Sequence, residues 1–243
     1  MAQLIMPKSD TKRLEVLERS IETGKKDATQ EKHFIPEELL TKAEELKVKF
    51  QLSYELENSK LSARQKEVRE KNESIDALNI YVRDFFEVLK RRTNRMNQPA
   101  EVLRFYDITL SGELPDARRE ADLIKVAENI IFGETKAQEA GYKAMQNPSA
   151  SEIQRHLDNA KREIGDVAPA DREFNQVQQD LTDMRDEVDD MIHEIADYIQ
   201  FSLRKQEASK QRRFMRTYGF EYRYLKNEPH DEELVVSESS DSE

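Results

Sequence analysis

A long stretch without helix breakers limits what this chain can fold into. No glycine or proline occurs in residues 37–98. Pro36 suits the first helical position, and the acids Glu37 and Glu38 suit the positive end of a helix dipole. Two series of mostly apolar residues then recur every seven positions, which places them on one stripe of a helix. The stretch therefore predicts a single supercoiled helix roughly 90 Å long.

The two series differ in how apolar they are. The first comprises Leu40, Lys47, Tyr54, Leu61, Val68, Ile75, Val82 and Leu89. The second comprises Ala43, Phe50, Glu57, Arg64, Lys71, Leu78 and Phe85. Because Glu57, Arg64 and Lys71 are charged, we expect a narrow or solvated waist in the middle of this helix.

A first and a third helix are predicted on either side of the long one. Ser9 or Asp10 suits the start of the first helix, and Gly24 suits its end. The third helix is predicted from about Asp116 to Met145. Its expected inward residues are Leu123, Ala127, Ile130, Glu134, Ala137, Gly141 and Ala144.

A fourth and a fifth helix follow Asn147-Pro148. Ser149 and Glu152 have the spacing of a capping box, which predicts the start of the fourth helix. Gly165 to Pro169 would close it, and the fifth helix would then run from about Ala170 to Arg216. Its expected inward residues are Phe174, Val177, Leu181, Met184, Val188, Met191, Ile195 and Tyr198.

These helices predict an all-α fold. We expect an elongated antiparallel helical bundle or coiled coil, with three long helical paths, a short N-terminal helix and one domain over residues 1–227. In the simplest layout the third and fourth helices run down as one broken rod beside the second. In the alternative layout the fourth helix folds back on the third.

Composition agrees with long helices and restricts the location. Charged and apolar residues each make up 37 % of the chain, which suits helices that bury only one stripe. The chain has no cysteine, so a disulfide framework and thiolate chemistry are excluded. No apolar run is long enough to span a bilayer, and the N-terminal apolar run is too short for a signal peptide. We therefore expect a cytoplasmic protein that does not enter a membrane.

The motifs of catalysis and cofactor binding do not occur in the sequence. The glycines are scattered, so no phosphate-binding loop is predicted, and no nucleophile motif is present. Asp190 and His193 have the spacing of a di-iron ligand pair, but the fifth helix would place His193 on its outer face. The sequence thus predicts a protein that is not an enzyme, with no cofactor, metal or small-molecule substrate.

A basic, aromatic segment near the C-terminus is the strongest candidate site. Its candidate polyanion-binding residues are Arg204, Lys205, Lys210, Arg212, Arg213, Arg216 and Arg223, and its candidate stacking residues are Tyr218, Phe220, Tyr222 and Tyr224. Cations attract phosphates, and aromatic rings offer faces to unpaired bases. Alternatively, the cations complement a helix dipole, and the aromatic residues hook back onto the bundle. Alternating aromatics over 218–224 predict an extended segment within a hook at about 204–227.

An acidic tail completes the chain. Residues 228–243 hold seven acids and neither lysine nor arginine, a composition typical of disorder. We expect a non-enzymatic helical scaffold or protein–protein interaction protein that binds a protein partner or associates with itself. The alternative is a nucleic-acid or polyanion binder that uses residues 204–226, and a helical metal-binding protein is the third hypothesis.

Overall fold

The computed structural model describes residues 2–224, which fold into two compact units. Unit 1 combines residues 2–59 with residues 175–224, and unit 2 comprises Lys60–Phe174. The described residues form six helices and one two-stranded sheet, which confirms an all-α helical bundle. The elements are β1 (Gln3–Ile5), α1 (Asp10–Thr29), α2 (Glu37–Arg95), a 3₁₀ helix (Ala100–Tyr106), α3 (Glu120–Glu139), α4 (Ala150–Leu203), α5 (Ala208–Thr217) and β2 (Glu221–Arg223).

The first helix starts where the sequence predicts and continues beyond the predicted end. The hydroxyl of Ser9 accepts a hydrogen bond from the backbone N–H of Lys12, at 3.3 Å, and caps α1. Gly24 is buried inside α1, and a Cβ atom there would lie 2.8 Å from Cδ2 of Leu40. This glycine therefore allows α1 to approach α2 closely, and the prediction that it ends the helix is wrong.

Unit 1 packs α1 and α5 against the first part of α2 and the last part of α4. Within this unit α2 and α4 are antiparallel, because Lys42 faces Glu194 whereas Ser53 donates to the sulfur of Met184 at 3.2 Å. The core contains large buried side chains from all four helices and from residues 218–220, which follow α5. Its fully covered members include Leu17, Phe50, Leu181, Tyr218 and Phe220.

Unit 2 has a separate core built from α2, the 3₁₀ helix, α3 and α4. Lys71 pairs with Glu120 at the start of α3, at 3.2 Å, and Arg92 donates to the carbonyl of Lys143 beyond its end. Hence α3 runs parallel to α2. In contrast, Ser74 accepts from Asn159 at 2.9 Å and Lys60 pairs with Glu173 at 2.7 Å, so α4 runs antiparallel to both. The fourth predicted helix therefore folds back on the third, and the broken-rod layout is wrong.

Helix α3 is shorter than predicted. It begins at Glu120 rather than near Asp116, and it ends at Glu139, just before Gly141 adopts a left-handed conformation with a φ of 85°. Leu123, Ala127, Ile130, Glu134 and Ala137 are buried as expected. Gly141 and Ala144 lie beyond the helix and are exposed, so their predicted inward positions are wrong.

The fourth and fifth predicted helices are one helix. The predicted capping box is present, since Glu152 accepts from the backbone N–H of Ser149 at 2.8 Å and donates its own N–H to the Ser149 hydroxyl at 3.2 Å. Beyond it, α4 continues through Gly165 and Pro169. A helical proline removes the hydrogen bond to the carbonyl four residues earlier and crowds that residue. Here that residue is Gly165, which is exposed and where an added Cβ atom would meet nothing within 4 Å, so water can reach the carbonyl.

Helix α4 ends at Leu203, and the prediction that it reaches Arg216 is wrong. The side-chain amide of Gln211 on α5 donates to the carbonyl of Leu203 and to that of Gln206, each at 2.9 Å. Carbonyls at a helix end need such partners. The chain therefore turns after Leu203 and resumes as α5.

Three of the four charged heptad residues of α2, Lys47, Arg64 and Lys71, form ion pairs within the described part of the chain. Lys47 pairs with Glu18 at 2.7 Å, and Arg64 pairs with Asp171. In the part of α2 between Phe50 and Ser74, all of it described, no residue is buried. The polar middle of α2 that is expected from the sequence is thus present.

Within residues 2–224, no helix has the length and apolar character needed to cross a membrane. The predicted acidic tail at 228–243, and the end of the predicted hook at 225–227, lie outside the described residues.

Candidate functional site

The predicted hook is formed by α5 and β2, which fold back onto the core of unit 1. Strand β2 pairs with β1 in antiparallel register, with Gln3 opposite Arg223 and Ile5 opposite Glu221. The expected extended segment is thus present. Its partner β1 was missed because a three-residue strand carries too little periodicity to detect.

Two of the four candidate stacking residues are inside the core. Tyr218 is 0 % exposed and Phe220 is 1 % exposed. The Tyr218 hydroxyl donates to the carboxylate of Asp27, and burial together with that hydrogen bond holds the pKa of Tyr218 well above its usual value. Neither ring can stack on a base in this conformation, so their assignment as stacking residues is wrong. Tyr218 and Phe220 instead fit the alternative prediction, in which the aromatic residues hook back onto the bundle.

The other two candidate rings are half-buried. Tyr222 packs against the core of unit 1 from β2. Tyr224 lies beneath two guanidinium groups, with Cζ of Arg212 at 5.9 Å and Cζ of Arg216 at 5.7 Å from its ring centroid. Arg216 also donates to the Tyr224 hydroxyl. Arg212 and Arg216 therefore hold the end of the hook, a role that cation–π contacts with tyrosine support.

The remaining cations face solvent around the turn between α4 and α5. We call Arg204, Lys205, Lys210 and Arg213 the basic surface. All four are exposed, and none forms an ion pair with another residue of the 2–224 region. Helix α5 contains no acidic residue, although Glu207 directly precedes it. Arg223 is also exposed but belongs to β2.

Exposed aromatic rings border the basic surface. Phe201 is 63 % exposed, and Cζ of Arg204 lies 4.3 Å from its ring centroid. Tyr198 is 41 % exposed, so its predicted inward position is wrong, and Ile199 is buried in its place. No signal in the sequence marks Phe201 as exposed, because an apolar residue three positions after Tyr198 is also what a helix with a buried stripe would have.

A second surface, which the sequence analysis missed, lies on the first part of α2. Val48, Leu52 and Leu56 are 53 %, 61 % and 47 % exposed, and we call them the outer stripe. Residues four apart share a helix face. The buried Phe50 lies about 160° around the helix axis from Leu52. The outer stripe therefore points away from the core. The sequence signal for it is the four-residue spacing of apolar residues that belong to neither heptad series.

Charged residues flank the outer stripe. A shallow depression of about 520 Å³ beside Val48 is lined by Thr41, Glu44, Glu45, Val48 and Lys49. Glu44 pairs with Lys25 at 2.7 Å, and Glu55 accepts a hydrogen bond from Gln51 at 3.0 Å. Three acids, Glu44, Glu45 and Glu55, face two lysines, Lys25 and Lys49, so the surroundings of the stripe are mildly acidic.

The structure also places the residues considered as metal ligands. His193 is exposed on α4, as expected, and its Nδ1 lies 2.7 Å from the carbonyl oxygen of Asp189. In unit 2, carboxylates of Glu67, Glu163 and Asp166 approach one another within 4.8 Å. Arg162 pairs with Glu163 at 2.7 Å. Since neighbouring cations offset these charges, we interpret the group as a solvated acidic face.

Comparison with family models, curated proteins and solved structures found no match.

Proposed function

We propose that this chain is a non-enzymatic helical interaction protein that binds a partner helix on the outer stripe. The supporting observation is the alignment of three exposed aliphatic side chains on one face of α2, opposite the core. Single exposed aliphatic residues are common, whereas contiguous ones mark interaction sites. An amphipathic helix that lays its apolar face on such a surface is a recurrent recognition mode.

The chemistry around the stripe defines the partner. Lys25 neutralises Glu44, and the remaining acids Glu45 and Glu55 outnumber Lys49. A complementary helix therefore carries lysine or arginine beside its apolar residues. Covering the exposed half of each aliphatic side chain contributes about 1 kcal/mol. Association itself costs at least about 4 kcal/mol. The partner must therefore also contact the flanking charges, and the interaction is reversible.

Substitution of Leu52 tests this proposal. We expect Leu52→Asp to abolish co-purification of a partner from the native host, because a carboxylate is costly to bury against an apolar face. Ile80→Asp is the matched control, since Ile80 is an exposed aliphatic residue of the same helix but lies in unit 2. Equal partner recovery with both variants would rule the outer stripe out. Light scattering on the purified chain then establishes whether the partner is a second copy.

A second candidate function is supported by the basic surface. Four exposed cations without ion pairs in residues 2–224 suit a polyanion such as nucleic acid, bound through phosphates rather than by stacking. We expect retention on heparin that falls steeply with salt and is lost in Lys210→Ala/Arg213→Ala. The control Lys42→Ala/Lys66→Ala removes two exposed lysines elsewhere. A chain that passes through heparin at low salt would exclude this function.

A further inference from the structure

We propose that the acidic C-terminal segment, residues 225–243, binds the basic surface of the same molecule and covers the exposed rings of Tyr198 and Phe201. The segment carries seven acids and only one lysine, Lys226. The basic surface carries four cations that have no ion pair in the 2–224 region. This inference does not depend on the function of the outer stripe, which lies on a different helix.

The place where the described chain ends supports this occupant. Tyr224 is held against α5 by Arg212 and Arg216, so the segment starts beside the helix that carries Lys210 and Arg213. Helix α5 has 10 residues and is therefore about 15 Å long. The first acidic cluster, Asp231–Glu233, begins seven residues after Tyr224, and seven residues span up to about 25 Å. The acids can thus reach the full length of the basic surface.

The apolar residues of the segment match the exposed rings. Leu234, Val235 and Val236 directly follow the acidic cluster and form the longest apolar run of the segment. On the protein, Phe201 and Tyr198 are 63 % and 41 % exposed, and Arg204 stacks on Phe201. An acidic cluster followed by an apolar run therefore meets a cationic turn that adjoins an aromatic patch.

Covalent connection favours this segment over a free anion. A tether of a few residues gives an effective concentration in the millimolar range. A free polyanion must compete with this effective concentration of the tethered segment before it occupies the basic surface. The segment therefore acts as an intramolecular competitor for any anionic ligand of the second candidate function.

Zero-length cross-linking of the full chain tests this contact. A carbodiimide joins a carboxylate to a lysine amine only when the two are in contact. Trypsin cleaves after Lys226 and leaves residues 227–243 as one acidic peptide. We expect this peptide to be joined to Lys205 or Lys210, and not to the exposed Lys143 of unit 2. We also expect the yield to fall at least threefold between about 50 mM and about 1 M salt, as screening of exposed charges requires.

Matched variants separate the charge and apolar contributions. Arg213→Gln should lower the cross-linking yield at least threefold, whereas Arg213→Lys should preserve it. Val235→Ser/Val236→Ser, which leaves every charge in place, should also lower the yield. An equal mixture of isotope-labelled and unlabelled chains should give cross-links within one chain only.

Three outcomes would overturn the proposal. These are a yield to Lys143 equal to that at Lys205 and Lys210, a yield unaffected by Arg213→Gln, and cross-links predominantly between labelled and unlabelled chains. The last would show that the segment binds a second copy. None of these outcomes bears on the Leu52→Asp test of the outer stripe.

Discussion

The guanidinium group of Arg13 on α1 donates two hydrogen bonds to the carboxylate of Asp189 on α4, at 2.8 and 2.7 Å. Arg185 donates to Asp10 in the same two-pronged manner, at 2.9 and 2.8 Å, and Arg13 also contacts Asp10 at 3.2 Å. These four half-buried residues form a neutral network that links α1 to α4. Hydrogen bonding to Asp189 raises the pKa of Arg13.

Removing Arg13 should destabilise unit 1. We expect Arg13→Ala to lower the free energy of unfolding by about 2 kcal/mol, because it leaves a partly buried carboxylate without its bidentate partner. Urea unfolding followed by circular dichroism measures the loss. Arg19→Ala, which removes an exposed arginine of the same helix, should cost less than about 0.5 kcal/mol. A similar loss in both variants would show that the network contributes no more than a surface ion pair.

Two helical glycines should respond oppositely to alanine. A Cβ atom at Gly133 would lie 2.2 Å from the carbonyl oxygen of Phe105, whereas one at Gly165 would have nothing within 4 Å. We expect Gly133→Ala to destabilise unit 2 by about 2 kcal/mol through overpacking. Gly165→Ala should instead stabilise it by about 0.5–1 kcal/mol, the usual helix-propensity gain. Thermal unfolding of both variants tests the difference, and a gain at Gly133 would contradict the close approach of α3 to the 3₁₀ helix.

The buried carboxylate of Glu134 in unit 2 is stabilised by a hydrogen bond from the hydroxyl of Tyr106. Glu134 is 2 % exposed, and it accepts from the Tyr106 hydroxyl at 2.7 Å and from the backbone N–H of Met145 at 2.5 Å. Tyr106→Phe removes one donor from a buried acid, so we expect a loss of about 2 kcal/mol. Tyr142→Phe removes a hydroxyl from a half-buried ring of the same unit and should change stability by less than about 0.5 kcal/mol. Equal urea midpoints for the two variants would disprove the dependence.

The stability of unit 2 should depend on pH through His156. Its ring stacks on Tyr81 with centroids 4.0 Å apart, and its Nε2 is buried without a hydrogen-bond partner among residues 2–224. Burial and the nearby Arg155 lower the pKa of His156, while Glu152 partly offsets them. The unfolded chain therefore binds this proton more readily than the folded chain. The contribution is fully present above about pH 6.5, the pKa of histidine in the unfolded chain. It is lost progressively as the pH falls from there through the lower pKa of the folded chain.

A variant that cannot titrate tests this sign. His156→Phe retains a ring against Tyr81, so we expect its unfolding free energy to fall less than that of the natural chain between about pH 7.5 and about pH 5.5. His33→Phe is the control, because His33 is exposed. A natural chain that gains stability on acidification relative to His156→Phe would reverse the assignment.

Substitutions on the two sides of α2 should separate binding from folding. Leu52 is 61 % exposed and Phe50 is 0 % exposed. We expect Leu52→Asp to change the free energy of unfolding by less than about 0.5 kcal/mol. Phe50→Ala should cost about 3–5 kcal/mol because it leaves a cavity. A Leu52→Asp chain that unfolds as readily as Phe50→Ala would place Leu52 in the core and remove the basis of the proposed docking surface.

Periodicity predicted most of the helical fold, and its failures are local. The heptad series identified α2 and its buried face, including Phe50 and Leu78, because burial of one stripe dictates the spacing. Gly165 and Pro169 were misread as a helix end, since their breaking tendency is overridden where α4 packs along α2. The position of Tyr198 followed a strict three-four alternation, whereas the helix buries Ile199 instead.

The candidate site was predicted only in part. Sequence located the cations of the 204–223 region, because charge is a property of each residue. It could not show that Tyr218 enters the core while Arg212 and Arg216 bind Tyr224, since those pairings depend on where α5 folds back. The outer stripe was overlooked because its residues fall outside the heptad series that defines the core.

Because unit 1 is built from two separate segments of the chain, its two parts are translated at different times. Unit 2 is one continuous segment, Lys60–Phe174, so all of its residues are translated before the second part of unit 1. Unit 1 needs α1 together with residues from 175 onward, and β1 acquires its strand partner only with Glu221–Arg223. Domains made vectorially tend to fold as their residues emerge. The N-terminal residues of unit 1 therefore lack these packing partners until residues 175–223 have been translated.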